Sequence, residues 1–376
     1  MSNCDEIKDR NIYINELLKK LIEIMKKNKT KTFNENGEIK DDIKKILELE
    51  LKKCAKLYCF EYGFELPNLE KLSVYVARTE DGQINRSPEL NARGDTDGVK
   101  VYSGLQNGLD SILTSSSVGL RGQILNDGKI HATQVYGKDI VLTKLSGTSY
   151  VSSDRDQLDY FAELLITGKI DLDFIIDVFP HEAMHIFIPG QGVFVEGTTE
   201  RLAREASDKY GLRLSPTSHS KETAIMSRLE AIVGRDAISS IALTNNQKKA
   251  REANKQEVDE SRLDELKKAI DEKMGYGTFD KLKSVLDKEY EEFLGYRTKT
   301  DEFQIYRNNA FSETICFLDE WIKNNSDKLQ ISSDNRDLSD EQKKEIIELQ
   351  DEEANMLKAL IDKLQQKEID EEIEEK

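Results

Sequence analysis

The segment VFPHEAMHIFIPGQGVFVEGTTERLAR, residues 178–204, holds two of the chain's four histidines. His181 and His185 stand four positions apart with Glu182 between them, and Glu196 and Glu200 follow downstream. Side chains at i and i+4 share one face of a helix. Two imidazoles so placed reach one Zn2+ at about 2.0–2.1 Å each. Glu182 is then offset by about a third of a turn, close enough to reach a zinc-bound water without binding the metal itself. That is the arrangement for metal-assisted hydrolysis. The metal acidifies the water and polarises a carbonyl, while the carboxylate takes the proton and delivers it to the leaving amine.

Such a site needs a third protein ligand, and Glu196 is the expected one. Glu200, one turn further on the same face, is expected to accept a hydrogen bond from the non-ligating N–H of a histidine, His181 in this reading, fixing its tautomer. Asp208 is a weaker ligand candidate because it lies three helical turns past Glu196. A metzincin pattern would need glycine at 188 and histidine at 191, where this chain has Ile188 and Gln191. With four histidines in 376 residues, a chance HExxH has odds on the order of one in two hundred.

Two helices must hold these groups. Asp177 is expected to cap the first, which places Pro180 in its first turn, where a missing N–H does no harm. Pro189 and Gly190 are expected to end it, Gln191 and Gly192 to turn the chain, and a second helix to run from Val195 to Tyr210, closed by Gly211.

Around this centre the chain divides into three stretches. Residues 1–65 form a helical region, with Ile7, Ile14, Leu17, Leu18, Leu21, Ile24 and Met25 at helical spacing. After a turn at 34–37, Ile43, Ile46, Leu47, Leu51, Cys54 and Tyr58 repeat that spacing. Residues 66–245 contain short β-like runs: LSVYVA, the pair RGQIL and KIHATQVY around Asn126-Asp127-Gly128, and KDIVLTKL. These predict a small, mainly antiparallel sheet. Residues 246–376 read as a C-terminal helical region, opened by the polar stretch NNQKKAREANKQEVDESR. The last helix, from Ser339, shows Ile346, Leu349, Glu353, Met356, Leu360 and Leu364 in a broken 3-4 pattern behind a capping box formed by Ser339 and Gln342. A helix packing on its own chain fits that short seam better than a coiled-coil dimer, and self-association through it is the alternative.

Composition sets the outer limits. A net charge of −17 argues against nucleic acid or an anionic membrane as partner. Four scattered cysteines without a CxxC pair argue against a zinc ribbon or a disulfide framework. No run of about 18 apolar residues is present, so no membrane span is expected. The N-terminus lacks a secretory pattern, so the expected compartment is the cytoplasm, with export by a route lacking a cleavable signal left open.

HEAMH followed by VEGTTERLAR resembles the gluzincin class of zinc metallopeptidases, the thermolysin-like and aminopeptidase-like enzymes with HExxH and a downstream E-G-x-x-E helix. KETAIMSRLEAIVGRDAISSIAL also resembles the helix that follows in small bacterial members. The resemblance covers about residues 170–245. It implies zinc held by His181, His185 and Glu196, with Glu182 as general base; the sequence departs from thermolysin itself in the shorter gap, ten residues, between His185 and Glu196. It further implies an α+β zincin-like domain: a sheet over the active-site helix, a helical lower half, and a substrate peptide added to the sheet edge. Such enzymes place a Tyr, His or Arg against the oxyanion. His219 is the first candidate here, with Tyr210 and Arg228 behind it, while His131 in a predicted strand reads as structural. The implied activity is peptide-bond hydrolysis on a peptide or protein substrate, leaning to endopeptidase for want of an N-terminus-binding acidic motif. The alternative is a zincin-fold binding or effector module with a structural metal.

Overall fold

In a computed structural model, the structure describes residues 3–30, 40–69, 135–136, 139–143, 149–152, 172–189, 192–214, 220–253, 255–296, 311–330 and 337–374. Helix α1 (Asn3–Lys27) buries Ile7, Ile14, Leu18, Leu21 and Met25 along one stripe. Helix α2 (Asp41–Tyr62) is buried over most of its circumference. Its C-terminus is closed by Gly63 at φ 71, whose N–H returns to the Cys59 carbonyl at 2.9 Å. The site helices are α3 (Leu172–Met184) and α4 (Val193–Tyr210).

Helix α5 (Ser220–Val233) lies against α4 so closely that a Cβ on Gly197 would stand 2.6 Å from the Glu222 carbonyl oxygen. This close approach requires glycine at that position. Shorter helices follow: α6 (Arg235–Ser239), α7 (Asn245–Ala253), α8 (Lys255–Ser261) and α9 (Asp264–Met274). Then come α10 (Thr278–Tyr296), α11 (Ser312–Asn324) and the long α12 (Asp340–Glu374).

Helix α12 opens with the reciprocal Ser339–Gln342 bonds of a capping box, at 2.9 and 3.2 Å. It packs on α1 and α2 of its own chain. Its innermost residues are Ile346, Gln350, Glu353, Leu357 and Ile361. The buried line therefore runs beside the expected Leu349, Met356, Leu360 and Leu364, and includes two polar groups. Gln350 donates to the Ile7 carbonyl and to Asn11 Oδ1, both at 2.9 Å. Helix α1 in turn serves the end of α4: Lys8, Asn11 and Asn15 donate to the carbonyls of Asp208, Tyr210 and Gly211. Those last carbonyls have no partner within their own helix.

The α+β expectation is overturned: the described chain is overwhelmingly helical, not a sheet-based zincin domain. Strand structure amounts to three short segments, β1 (Val135–Tyr136), β2 (Asp139–Thr143) and β3 (Ser149–Ser152), paired antiparallel in the order β1-β2-β3. Among the described residues, the elements packed on α3 are the helices α1, α2 and α4. Leu172, Ile176, Phe179 and Ala183 are buried along it. The runs LSVYVA and RGQIL lie outside the described residues. Among the described residues no helix is long and apolar enough to cross a membrane.

Candidate metal centre

Helix α3 starts at Leu172, five residues before the expected cap. Leu172, Ile176 and Phe179 continue the apolar stripe backward, so Asp177 lies within the helix and Pro180 is an interior residue. Helix α3 ends at Met184. His181 occupies its last turn, and His185 begins a tight turn in which Ile186 and Phe187 donate to the carbonyls of Ala183 and Met184. The carbonyl end of a helix carries partial negative charge, which favours a cation there. Glu182 lies in α3 between the two histidines.

Gly192, at φ 102, turns the chain into α4, and Glu196 follows in the first turn of that helix. The end of α3 and the start of α4 therefore meet. His181 Nε2 and His185 Nε2 lie 3.6 and 3.5 Å from the same Glu196 oxygen, Oε2. One ligand atom from each of the three residues lies within 4.8 Å of the others. Tetrahedral coordination with bonds of 2.0–2.2 Å has edges of about 3.3–3.6 Å. The two measured edges fit that figure.

The other imidazole nitrogens are already engaged. His181 Nδ1 is 2.6 Å from Glu200 Oε2, and His185 Nδ1 is 2.9 Å from the Ile188 carbonyl. A carbonyl or carboxylate only accepts, so each Nδ1 carries a proton, and in the neutral imidazole that tautomer puts the lone pair on Nε2. This is the tautomer in which a histidine would bind a metal through Nε2. His181, His185, Glu196 and Glu200 are all buried, at 5%, 5%, 6% and 1% exposure. An N2O donor set of this kind suits zinc, and among the described residues the group consists of these three side chains.

Glu200 does not stand alone against His181. Arg204 Nε and Nη2 reach its other oxygen at 2.7 and 2.5 Å. Sequence reasoning missed Arg204, although its i+4 spacing from Glu200 is the signal that could have found it. The Ile188 carbonyl left no such signal, because a backbone acceptor has no residue type.

The remaining candidates are not brought to the cluster. Asp208 is an exposed residue twelve positions beyond Glu196, about 18 Å along the helix. Tyr210 donates its hydroxyl to Glu61 Oε2 at 2.6 Å, at the far end of α4. Arg228 forms a two-pronged pair with Asp319 at 2.7 and 3.0 Å. His219 and His131 lie outside the described residues. Compared with known proteins, the chain matches no family, no curated protein and no solved structure.

Proposed function

We propose that the protein is a zinc-dependent peptidase of the gluzincin type, with His181, His185 and Glu196 as the metal ligands. The observation that supports this is the convergence of two Nε2 atoms on one carboxylate oxygen, with both Nδ1 atoms tied back to acceptors. The likeness is in ligand order and chemistry and does not extend to a sheet-based architecture.

Zinc held by these groups supplies an acidified water and a polarised substrate carbonyl. Glu196 contributes the negative charge that partly offsets the cation, and Glu200 and Ile188 hold the imidazoles in ligating orientation. Arg204 pairs with Glu200 and holds it in place. Glu182 is the base in this reading, taking a proton from water and returning it to the departing amine. The substrate class is a peptide or a protein segment, with internal cleavage favoured.

A second reading has one observation in its favour. All three ligand groups are almost excluded from solvent, as at metals that serve structure. In that reading the chain is a binding or effector module with a structural metal. Glu182 separates the two, because a structural site has no use for a base.

The test is zinc content after dialysis in metal-free buffer, followed by hydrolysis of a quenched peptide library by wild type and Glu182→Gln. The proposal expects one zinc per chain in both and hydrolysis by wild type alone. Zinc in both with hydrolysis in neither selects the structural metal; no zinc even after reloading removes both readings.

A further inference from the structure

Helix α2 reaches both ligand-bearing helices through two tyrosines one turn apart. Tyr58 is fully buried and donates its hydroxyl to the Pro180 carbonyl at 2.8 Å, on the residue immediately before His181. Its ring meets Phe187 edge-on, with centroids 6.3 Å apart. Phe187 is two residues past His185, so Tyr58 grips the histidine segment on both sides. Tyr62 is also buried and donates to the Leu202 carbonyl of α4 at 2.6 Å. The two rings are 6.4 Å apart, and Phe64 joins the group by stacking on Phe187 at 5.2 Å.

We infer that Tyr58 and Tyr62 are positioning residues for the metal centre, the first holding the end of α3 and the second holding α4, so that the spacing of one α2 turn sets the distance between the histidines and Glu196. This rests on the metal reading above.

The physical reason lies in tolerances. A metal site accepts errors of about 0.2 Å in its ligand distances. Apolar faces packed on one another resist separation more than sliding, whereas a hydrogen bond fixes a donor to one acceptor along a preferred direction. Helix α2, hydrogen-bonded to both helices, supplies a reference outside the pair. Both hydroxyls remain donors at working pH, because burial pushes both phenols well above their ordinary range. A buried carbonyl retains a second lone pair after its helical bond, so accepting from tyrosine does not disrupt either helix. Leaving a phenol hydroxyl buried without an acceptor would be costly, which holds both tyrosines to these partners.

The experiment titrates the full chain with Co2+, whose visible bands report coordination geometry, and then displaces it with Zn2+. Tyr58→Phe, Tyr62→Phe and the double variant are compared with wild type well below their unfolding temperatures. Glu353→Gln, which alters the contact between α2 and α12 without touching the tyrosines, is the control. Each single variant is expected to weaken metal binding by roughly threefold to tenfold and the double by more, with altered Co2+ bands, while Glu353→Gln keeps the wild-type affinity and bands. Wild-type affinity and bands in the tyrosine variants overturn the inference, as does an equal loss in the control. If Tyr58→Phe does not fold, Tyr62→Phe alone decides. A wild type that binds neither ion defeats the metal reading itself, which is a different failure.

Discussion

Two buried clusters of charged side chains stand a few helical turns apart and are built on opposite principles. Between α2 and α12, Lys53 Nζ lies against Glu50 Oε2 and 2.8 Å from Glu353 Oε2, with Lys53 and Glu353 almost wholly buried. Burial alone would lower the ammonium's pKa, but the carboxylates of Glu353 and Glu50 outweigh it and the net shift is upward. Burial pushes the Glu353 carboxyl up, with Lys53 opposing it and Glu50 adding to it. This cluster turns its cation inward onto its own acids. Between α3 and α4, Glu196 Oε2 faces the Nε2 atoms of two histidines whose Nδ1–H groups turn outward onto Glu200 and the Ile188 carbonyl. Burial is common to both. The difference lies in the group that faces the acid, an ammonium that can only donate in the first cluster and imidazole nitrogens that can hold a lone pair in the second.

The comparison can be broken at several points. The largest effect is expected from Lys53→Ala, which leaves two carboxylates buried without their cation and should lower stability by about 3–5 kcal/mol, read from urea unfolding. A loss below about 1 kcal/mol would show that the cluster is hydrated or that its acids are protonated. Next is metal itself. At a hundredfold excess over its dissociation constant, zinc should stabilise wild type by about 2.7 kcal/mol and Glu196→Ala by close to nothing, read as a shift in Tm. Equal shifts in the two proteins would place the metal elsewhere. The smallest effect is expected from Glu200→Ala, which keeps all three ligands but releases the His181 ring. Zinc affinity should fall by about 10–100-fold in a competition titration. Unchanged affinity would mean that the pairing of Arg204 with Glu200 has no influence on the site.

The histidine pair, both glutamates, the glycine end of α4 and the capping box of α12 were all legible before the fold was known. Each is a relation between residues one helical turn apart, or between a helix and the residue that ends it. The start of α3 was misread, because Asp177 is a good cap by type and only the packing of Leu172 and Ile176 shows that the helix continues through it. The expected sheet was misread for a related reason. β-like texture in the 66–150 stretch and a family resemblance of less than a quarter of the chain were extended into a claim about what covers α3, and among the described residues the elements packed on it are helices. Tyr58 looked like an ordinary apolar-face residue of α2, and nothing in the spacing singled out Tyr62.

The sequence by itself determined which atoms could bind a metal, since helical periodicity turns spacing into direction over one or two turns. Only the tertiary structure decided that these atoms meet. The approach of α3 to α4, the reach of Tyr58 to Pro180 and the closure of Lys53 on Glu353 join residues far apart in the chain. Such contacts form because burying apolar faces of the helices outweighs the loss of chain entropy, a balance over the whole molecule that no local spacing records.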